Sequence, residues 1–474
     1  MPSRPSVLWL VACAVAACSS GSPPSVPIAG LYQSGTRIRA HVTDGGGGAR
    51  RFDGWYDTQL QTPCTFQPAT DGVRRCVPMA HIVYGPTLYL DAACSAPVTD
   101  YVDPTVAAPF FATQGSTVVA PPAGCGADLL ATGAYDEHLV AAWRVGPEQP
   151  GAATTFYRDD SGACIDRLVS SGPIHPLEPV AAAQLVAATK SVEARGPSMA
   201  VEVLSADDGT KEIGRTFDTT LGRPCFPSWV YFVTDDYRCY ASTAEPPVGL
   251  PQGCGNGAVA ACADEIALVG GVCGPSFYNL AAAACGPSSG TGFQFHELGA
   301  PFDPQRFPSL TSDLVGTGRL RLVITRPSDD DRALFVNPSY FAAQDRYTPG
   351  PFFDTERQLP CDPATFEDGT IRCLTYDALW AENYSDPACS NPIAAQPTAP
   401  PPCATTAPQP APQLAFQNSG RLYTLGALVA RSEAYTLNTS AVPPTCDLVS
   451  APTMYYDLTP ADPAILAPLT ELTE

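Results

Sequence analysis

The stretch Tyr56-Asp57-Thr58-Gln59-Leu60-Gln61-Thr62-Pro63-Cys64 is one of three copies of a nine-residue motif in this chain. The other copies are FDTTLGRPC, which ends at Cys225, and FDTERQLPC, which ends at Cys361. All three fit one ungapped pattern: an aromatic residue, Asp, Thr, any residue, Leu or Arg, any two residues, Pro and Cys. Such a pattern, repeated within one polypeptide, indicates an internally repeated architecture.

The cysteines extend this repeat well beyond the motif. Five cysteine positions can be aligned between the copies, and Cys273 alone is left over. They are Cys64, Cys225 and Cys361; Cys76, Cys239 and Cys373; Cys94, Cys254 and Cys389; Cys125, Cys262 and Cys403; and Cys164, Cys285 and Cys446. The alignment predicts three units, which span residues 31–196, 197–314 and 315–474.

The N-terminus has the features of a targeting signal. An apolar run over residues 7–17 ends in the letters VAAC, and this resembles the lipobox of bacterial lipoproteins. The resemblance implies that residues 1–17 are a signal peptide and that Cys18 is acylated; Ser19, rather than Asp, after the cysteine implies the outer membrane. A plain secretory signal is the alternative, and the run is shorter than the roughly 18 residues of a membrane span. Residues 18–30 predict a flexible tether.

Export predicts disulfide bonds, because an oxidising compartment preserves them. The first and second cysteines of each unit flank a turn sequence such as Asp71-Gly72, so we expect them to pair across a hairpin. Cys273 is expected to pair with Cys285, whereas Cys164 and Cys446 have no assigned partner. The candidates are Cys64, Cys76, Cys225, Cys239, Cys361, Cys373, Cys94, Cys125, Cys254, Cys262, Cys389, Cys403, Cys273 and Cys285.

Period-two alternation of apolar residues predicts an all-β fold. Each unit opens with such a stretch, as in Arg37-Ile38-Arg39-Ala40-His41-Val42, and the motif itself is interpreted as a strand. About eight short strands per unit favour one six-bladed β-propeller with pseudo-threefold symmetry; tandem β-sandwiches are the rival arrangement. The Ala-rich stretch Val180–Arg195 predicts a short helix between units one and two.

The motif also contains the main candidate for a metal site. Asp57, Asp218 and Asp354 occupy the same position in all three copies, and on a threefold axis they could converge on Ca²⁺. The alternative is that each Asp holds its own turn through local backbone hydrogen bonds. No other cofactor is expected. The histidines suggest no catalytic site: His41 has no partner in the sequence, and His175 and His296 share a strand position with Tyr456.

Charge argues against a nucleic-acid partner. The formal net charge is −21 and lysine occurs only at positions 190 and 211, so the chain lacks the basic residues that phosphate binding requires. By its lipobox and composition the chain resembles uncharacterised Cys-rich repeat lipoproteins of myxobacterial type, a resemblance that implies no known activity. We expect a non-catalytic surface lipoprotein that binds an unidentified protein or glycan partner. The alternative is a secreted propeller-type hydrolase with carboxylates in its central channel.

Overall fold

The computed structural model describes most of the three units. The described residues are 31–79, 88–99, 111–119, 137–149, 154–158, 163–168, 174–229, 237–241, 255–257, 266–269, 276–287, 294–301, 303–334, 352–396, 412–439, 443–449 and 453–474. They form 35 strands and three short 3-10 helices, at Ala182–Gln184, Pro304–Arg306 and Pro463–Ile465. The expected all-β class is therefore confirmed.

The strands of each unit are as follows. Unit one contains β1 (Tyr32–Gln33), β2 (Ile38–Asp44), β3 (Arg50–Asp57), β4 (Thr62–Pro68), β5 (Arg74–Pro78), β6 (Leu88–Tyr89), β7 (Pro97–Thr99), β8 (Phe111–Val119), β9 (Glu137–Val145), β10 (Thr154–Arg158), β11 (Cys164–Leu168), β12 (His175–Pro179) and β13 (Ala187–Arg195). Unit two contains β14 (Met199–Ala206), β15 (Lys211–Asp218), β16 (Arg223–Trp229), β17 (Tyr237–Ala241), β18 (Gly255–Gly257), β19 (Ile266–Val269), β20 (Ser276–Pro287), β21 (Gln294–Pro301) and β22 (Ser309–Val315). Unit three contains β23 (Leu320–Pro327), β24 (Phe352–Asp354), β25 (Leu359–Thr365), β26 (Ile371–Thr375), β27 (Leu379–Trp380), β28 (Asn383–Tyr384), β29 (Pro392–Ala395), β30 (Leu414–Phe416), β31 (Leu422–Arg431), β32 (Ala434–Asn438), β33 (Thr445–Val449), β34 (Thr453–Pro460) and β35 (Pro468–Thr473).

Fifteen of these strands form a closed ring of antiparallel pairs. Each unit contributes five: β2–β5 with β13, β14–β17 with β22, and β23–β26 with β35. The fifth strand of a unit pairs with the fourth strand of the same unit and with the first strand of the next unit. The C-terminal strand β35 pairs with β2 and thereby closes the ring. The ring therefore has the pseudo-threefold symmetry that the repeated motif predicts.

Strand β1 pairs with β15 at the margin of the ring. The other strands of each unit form a second sheet, inserted between its fourth and fifth ring strands. In unit one the order is β11-β10-β6-β7-β12-β9-β8, and in unit three it is β33-β32-β28-β29-β34-β31-β30, with β27 parallel to β30. These two orders correspond strand by strand. In unit two, the described strands outside the ring form a four-stranded sheet, β18-β21-β20-β19.

This arrangement differs from the architectures expected from the sequence. The described sheets contain 16, 7, 4 and 8 strands, so the six four-stranded blades of a propeller are not confirmed. The rival of separate sandwiches is not confirmed either, because one sheet joins all three units. The expected eight strands per unit was also too few for units one and three. Several of their strands are only two or three residues long, which is too short to produce a visible alternation.

The predicted helix at Val180–Arg195 is wrong. The stretch contains one 3-10 turn, Ala182–Gln184, followed by β13, which pairs with β14 over eight residues. The hydrogen bonds that β14 and β5 offer to this segment outweigh the helix propensity of its alanines. The same 3-10 turn and strand recur at the ends of the other two units, so the segment is the fifth ring strand of unit one.

The units interlock through the turn that follows each first strand. The Asp208 carboxylate of unit two accepts hydrogen bonds from the backbone N–H groups of Arg37 and Ile38 in unit one, at 3.0 and 2.7 Å. In the same way, Gly47 O of unit one accepts from Thr317 N of unit three at 2.9 Å. Gly47 has φ +60°, and a Cβ there would approach Gly318 N to 2.5 Å, so the turn requires glycine at this position.

Two hydrophobic clusters fill the ring. The larger one joins units two and three through residues such as Met199, Phe307, Leu320 and Phe352, all almost fully buried. The second is built mainly by unit one, where Ile38, Val42 and Trp55 pack together with residues of β13 and β14. The first and second cysteines of every unit are buried within these clusters.

Candidate functional site

The repeated motif forms the tip of a hairpin rather than a strand. In unit one, Asp57 ends β3 and Thr62 begins β4, with a four-residue turn between them. Asp57 Oδ1 accepts hydrogen bonds from Gln59 N and Leu60 N, at 2.9 and 3.1 Å. Asp218 and Asp354 make the same two bonds in their own turns. Each repeated Asp therefore organises its own turn, as the alternative interpretation of the sequence proposed.

In units one and three an arginine completes this arrangement. Arg319 binds Asp354 through Nε and Nη2 at 3.0 and 2.8 Å, and its Nη2 also donates to Ile465 O at 2.9 Å. Arg37 makes the equivalent bonds to Asp57 and to Gln184 O. The pair thus ties the hairpin tip to the 3-10 turn of the same unit. Although burial alone would raise the pKa of Asp354, the bonds from Arg319 and from the turn hold that pKa below its ordinary value.

Unit two lacks this arginine, because Ser198 occupies the position. Asp218 is fully buried, and its Oδ2 has no hydrogen-bond partner among the described residues. Burial raises the pKa of Asp218, and the turn bonds together with the charge of Arg306 offset only part of that effect. The three motif aspartates therefore share a role in the turn but differ in electrostatic environment.

The predicted calcium site at these aspartates is not confirmed. Within the part of the chain that the structure describes, no three His, Cys, Asp or Glu residues are grouped so that they could hold a metal ion. In units one and three, moreover, the carboxylate already contacts a guanidinium, whose positive charge disfavours a cation beside it.

Disulfide bonds follow the hairpin prediction for the first two cysteine positions. Cys64–Cys76, Cys225–Cys239 and Cys361–Cys373 are all paired. The structure also assigns the two cysteines left without partners: the third position pairs with the fifth, as Cys94–Cys164 and Cys389–Cys446. Cys18, Cys125, Cys254, Cys262, Cys273 and Cys403 lie outside the described residues, and so does the predicted Cys273–Cys285 bond.

The third–fifth disulfides fasten matching turns in units one and three. Asp91 and Asp386 each accept hydrogen bonds from the backbone N–H groups of three turn residues around the cysteine and from a serine hydroxyl. Cys94 and Cys389 both have φ near +50°, a conformation that the turn and the disulfide together maintain. These features are structural, and they explain why this segment is so similar in the outer two units.

The histidine position of the second sheets also has a structural role. His175 lies in β12, His296 in β21 and Tyr456 in β34, as the strand interpretation predicts. His175 Nδ1 lies 3.2 Å from Gly146 O, which suits a ring protonated at Nδ1.

The structure brings acidic and basic side chains of different units together where the ring closes. Thr43 pairs in register with Arg51 on one side and with Glu471 on the other, so these three side chains lie on one face of the adjacent strands β3, β2 and β35. Thr43 Oγ1 donates to Asp53 Oδ2 at 2.5 Å, and Arg51 Nε donates to Asp53 Oδ1.

Asp362 of unit three adds a third carboxylate to this cluster, after Asp53 and Glu471. Asp362 of β25 lies with its Oδ1 3.9 Å from Arg51 Nη1, and its Oδ2 accepts a 2.5 Å hydrogen bond from the Tyr376 hydroxyl. His41 Nε2 lies 4.0 Å from Glu471 Oε2. We name this set the closure face: His41, Thr43, Arg51, Asp53, Asp362, Tyr376 and Glu471.

Burial and two neighbouring side chains act on the pKa of Asp362. Burial raises the pKa of Asp362, and the bond from Tyr376 and the charge of Arg51 only partly offset this effect. Burial next to Asp362 also raises the pKa of Tyr376. The Asp362 side chain nevertheless remains 40% exposed, so the cluster is open to solvent. It can donate and accept hydrogen bonds, and Asp362 can act as a weak acid.

Sequence reasoning missed the closure face, since its members are up to 430 residues apart, as His41 and Glu471 are. One feature of the repeats does mark this face, namely a position at which the three units carry different types of residue. By strand register, Arg51 corresponds to Glu212 in unit two and to Leu334 in unit three. A position that is basic, acidic and apolar in three otherwise similar units marks a place where the repeats diverge.

Comparison with known proteins places the chain in no family: no protein-family model, curated protein or solved structure matches it. Of the helices in the described residues, none is long and apolar enough to cross a membrane.

Proposed function

We propose that the chain is an exported, lipid-anchored and disulfide-stabilised binding scaffold without catalytic activity. Acylation of Cys18 and placement at the outer membrane are part of this proposal and rest on the lipobox resemblance. A net charge of −21 favours partners that are neutral or cationic over anionic surfaces.

The observation that carries the proposal is the closure face. The features shared by all units serve the fold, namely the Asp-centred turns and the hairpin disulfides. The closure face, by contrast, occurs once among the residues that the structure describes, and it breaks the symmetry. Its Arg51, Asp53 and Asp362 present donors and acceptors on an open sheet surface, which suits a polar ligand such as a glycan or a polar protein surface.

One observation favours the hydrolase alternative. Asp53 and Asp362 come from different units and meet at one guanidinium, and the pKa of Asp362 is raised. Two carboxyl groups in different environments are the requirement for general-acid chemistry on a glycoside. Against this, both carboxyl groups are engaged by neighbouring side chains on an open surface.

A glycan and peptide array separates these two functions. We expect the disulfide-intact chain to bind a defined subset of the array, and Arg51→Gln to weaken that binding at least tenfold, about 1.4 kcal/mol. Arg421→Gln is the control, because it removes the same charge from a surface ion pair with Glu367 in unit three that is not part of the closure face. If Arg51→Gln binds as tightly as the native chain, the closure face is not the binding surface. Cleavage of an array glycan, lost in Asp362→Asn, would establish the hydrolase instead.

The anchor is tested separately. Cys18→Ala should move the protein from the membrane fraction to the soluble fraction and should remove the mass of the attached lipid. Unchanged fractionation with no lipid mass on the native chain would show that the signal is an ordinary secretory one.

A further inference from the structure

A cavity of about 130 Å³ lies between the ring and the second sheet of unit one. It is lined by the hairpin tip at Ala69 and Thr70, by β9 residues Val140 to Trp143, by Pro179 and Val180, and by Ala182 and Leu185. Thr70 and Pro179 are exposed, whereas Ala69, Ala142 and Leu185 are buried. The cavity therefore has buried apolar residues on one side and reaches solvent on the other.

Unit three shows what fits this space. The hairpin tips of the two units superpose by register: the disulfides Cys64–Cys76 and Cys361–Cys373 enclose equal loops, and Gly72 and Gly369 both have φ +76°. Phe366 is therefore the counterpart of Ala69. It is buried in a cluster with Leu422 and Leu466, at the junction between the hairpin tip and the second sheet of unit three.

At two more positions the side chain of unit one is smaller than the equivalent side chain of unit three. By strand register, Leu422 of unit three corresponds to Ala142, and Phe416 corresponds to Thr113. The rings of Phe366 and Phe416 contact each other edge to face, with centroids 5.2 Å apart. Unit one thus has alanine or threonine at each of three positions where unit three has Phe or Leu.

The remaining wall of the junction is alike in both units except that Val140 of unit one stands where unit three has Gly420. Leu185 and Leu466 are equivalent, since the carbonyl oxygen of the next residue accepts a hydrogen bond from the backbone N–H of the second cysteine of the unit. Val77 and Val180 of unit one correspond to Leu374 and Ala461 of unit three, so those walls stay apolar. The strands and the disulfide around the junction are therefore retained, and Val140 takes up only part of the space that the Phe366 ring fills in unit three.

We propose that this cavity of unit one is a binding site for a monocyclic aromatic group, which occupies the space that the Phe366 ring fills in unit three. An enclosed apolar cavity of about 150 Å³ is known to hold benzene. The cavity of unit one has a similar volume but is open to solvent at one end. The site goes beyond the proposed function, because it is separate from the closure face and requires none of its residues.

The aromatic group has two sources, which the open end by Thr70 admits equally. It is either a free small aromatic molecule or the phenylalanine side chain of a partner. Both bury the same ring against the same residues, and they differ only in whether a peptide backbone must remain at the mouth.

Fluorobenzene binding, followed by ¹⁹F NMR, tests the proposal on the disulfide-intact chain. We expect one saturable site in the native protein. Ala69→Phe should fill the cavity as unit three does, and should weaken binding at least about tenfold. Phe366→Ala is the matched control, because it should open the equivalent space in unit three and raise the stoichiometry to two. Should Ala69→Phe fail to fold, Ala142→Leu fills the same cavity with the residue of unit three and carries the same expectation.

No saturable binding by the native chain would overturn the proposal, as would unchanged binding in a folded Ala69→Phe or Ala142→Leu variant. Saturable binding that these variants remove supports it. N-acetyl-phenylalaninamide then separates the sources. Competition with fluorobenzene identifies a partner side chain, and its failure to compete identifies a free aromatic molecule. Retained glycan binding in Ala69→Phe would show that the closure face acts independently.

Discussion

The motif aspartates offer an internal comparison of a paired and an unpaired buried carboxylate. Asp354 accepts two bonds from Arg319 and two from its turn, whereas Asp218 has the turn bonds but no arginine at the Ser198 position. Substitution by asparagine keeps an oxygen for the turn in both cases. It removes the ion pair only at Asp354. We therefore predict that Asp354→Asn destabilises the fold and that Asp218→Asn does not.

The magnitude follows from the bonds at Arg319. A hydrogen bond to a charged group contributes about 1.5–3 kcal/mol, and breaking a buried pair costs about 3–5 kcal/mol. Arg319 is 26% exposed, so water partly replaces the lost partner, and it retains Glu356 and Ile465 O. We expect Asp354→Asn to lower the free energy of unfolding by about 3 kcal/mol. Asp218→Asn removes an unpaired buried charge and should leave stability within about 1 kcal/mol of the native chain, or raise it.

Urea unfolding of the disulfide-intact variants at neutral pH measures this difference, from the shift of the midpoint multiplied by the common m-value. The control is Asp368→Asn, which changes a hairpin-tip carboxylate of unit three that is exposed to solvent. Equal losses at Asp218 and Asp354 would refute the reasoning, since the turn bonds alone would then account for the role of the motif aspartate. A loss below about 0.5 kcal/mol at Asp354 would do so as well.

Three further predictions concern single features of the fold. The folded-state pKa of Asp218 is raised, so the stability that this group contributes below its unfolded pKa of about 3.9 is lost as the pH rises through the folded value. Urea unfolding midpoints measured from pH 3 to 7 should therefore show the stability of Asp218→Asn increasing relative to that of the native chain. A stability difference that stays constant over this interval would contradict the prediction. Arg357 lies 3.5 Å from Asp377, whose side chain is 1% exposed and has no hydrogen bond from the described residues. Asp377→Ala should lower the free energy of unfolding by about 3 kcal/mol, and the double variant Arg357→Leu, Asp377→Ala should recover most of that loss. Additive losses in this double-mutant cycle would contradict the prediction. Replacing Cys389 and Cys446 by alanine removes a disulfide that joins residues 57 positions apart in the sequence. The free energy of unfolding in urea should fall by about 4 kcal/mol. An unchanged unfolding midpoint would show that the disulfide does not constrain the unfolded chain.

Much of the local structure could be predicted from adjacent residues. The first and second cysteines were assigned correctly because a turn sequence stands between them, and the hairpin brings them together within 12 to 14 residues. The motif was misread as a strand because Gln61 and Gln358 adopt positive φ, which their residue type does not signal. The prediction of a helix over Val180–Arg195 was wrong because the helix propensity of alanine is a local property. It does not reflect the hydrogen bonds that the neighbouring strands β14 and β5 make with this segment.

The sequence by itself determined the threefold repeat, the all-β class and the hairpin disulfides, because each depends on residues that are near neighbours in the chain. Only the tertiary structure decided how the repeats join: that β35 closes the ring on β2, that the third cysteine pairs with the fifth, and that Asp362 reaches Arg51. These contacts join residues 57 to more than 400 positions apart, and several strand orders could satisfy the same local pattern. The cavity beside Ala69 likewise became visible only when unit three showed Phe366 filling the equivalent space.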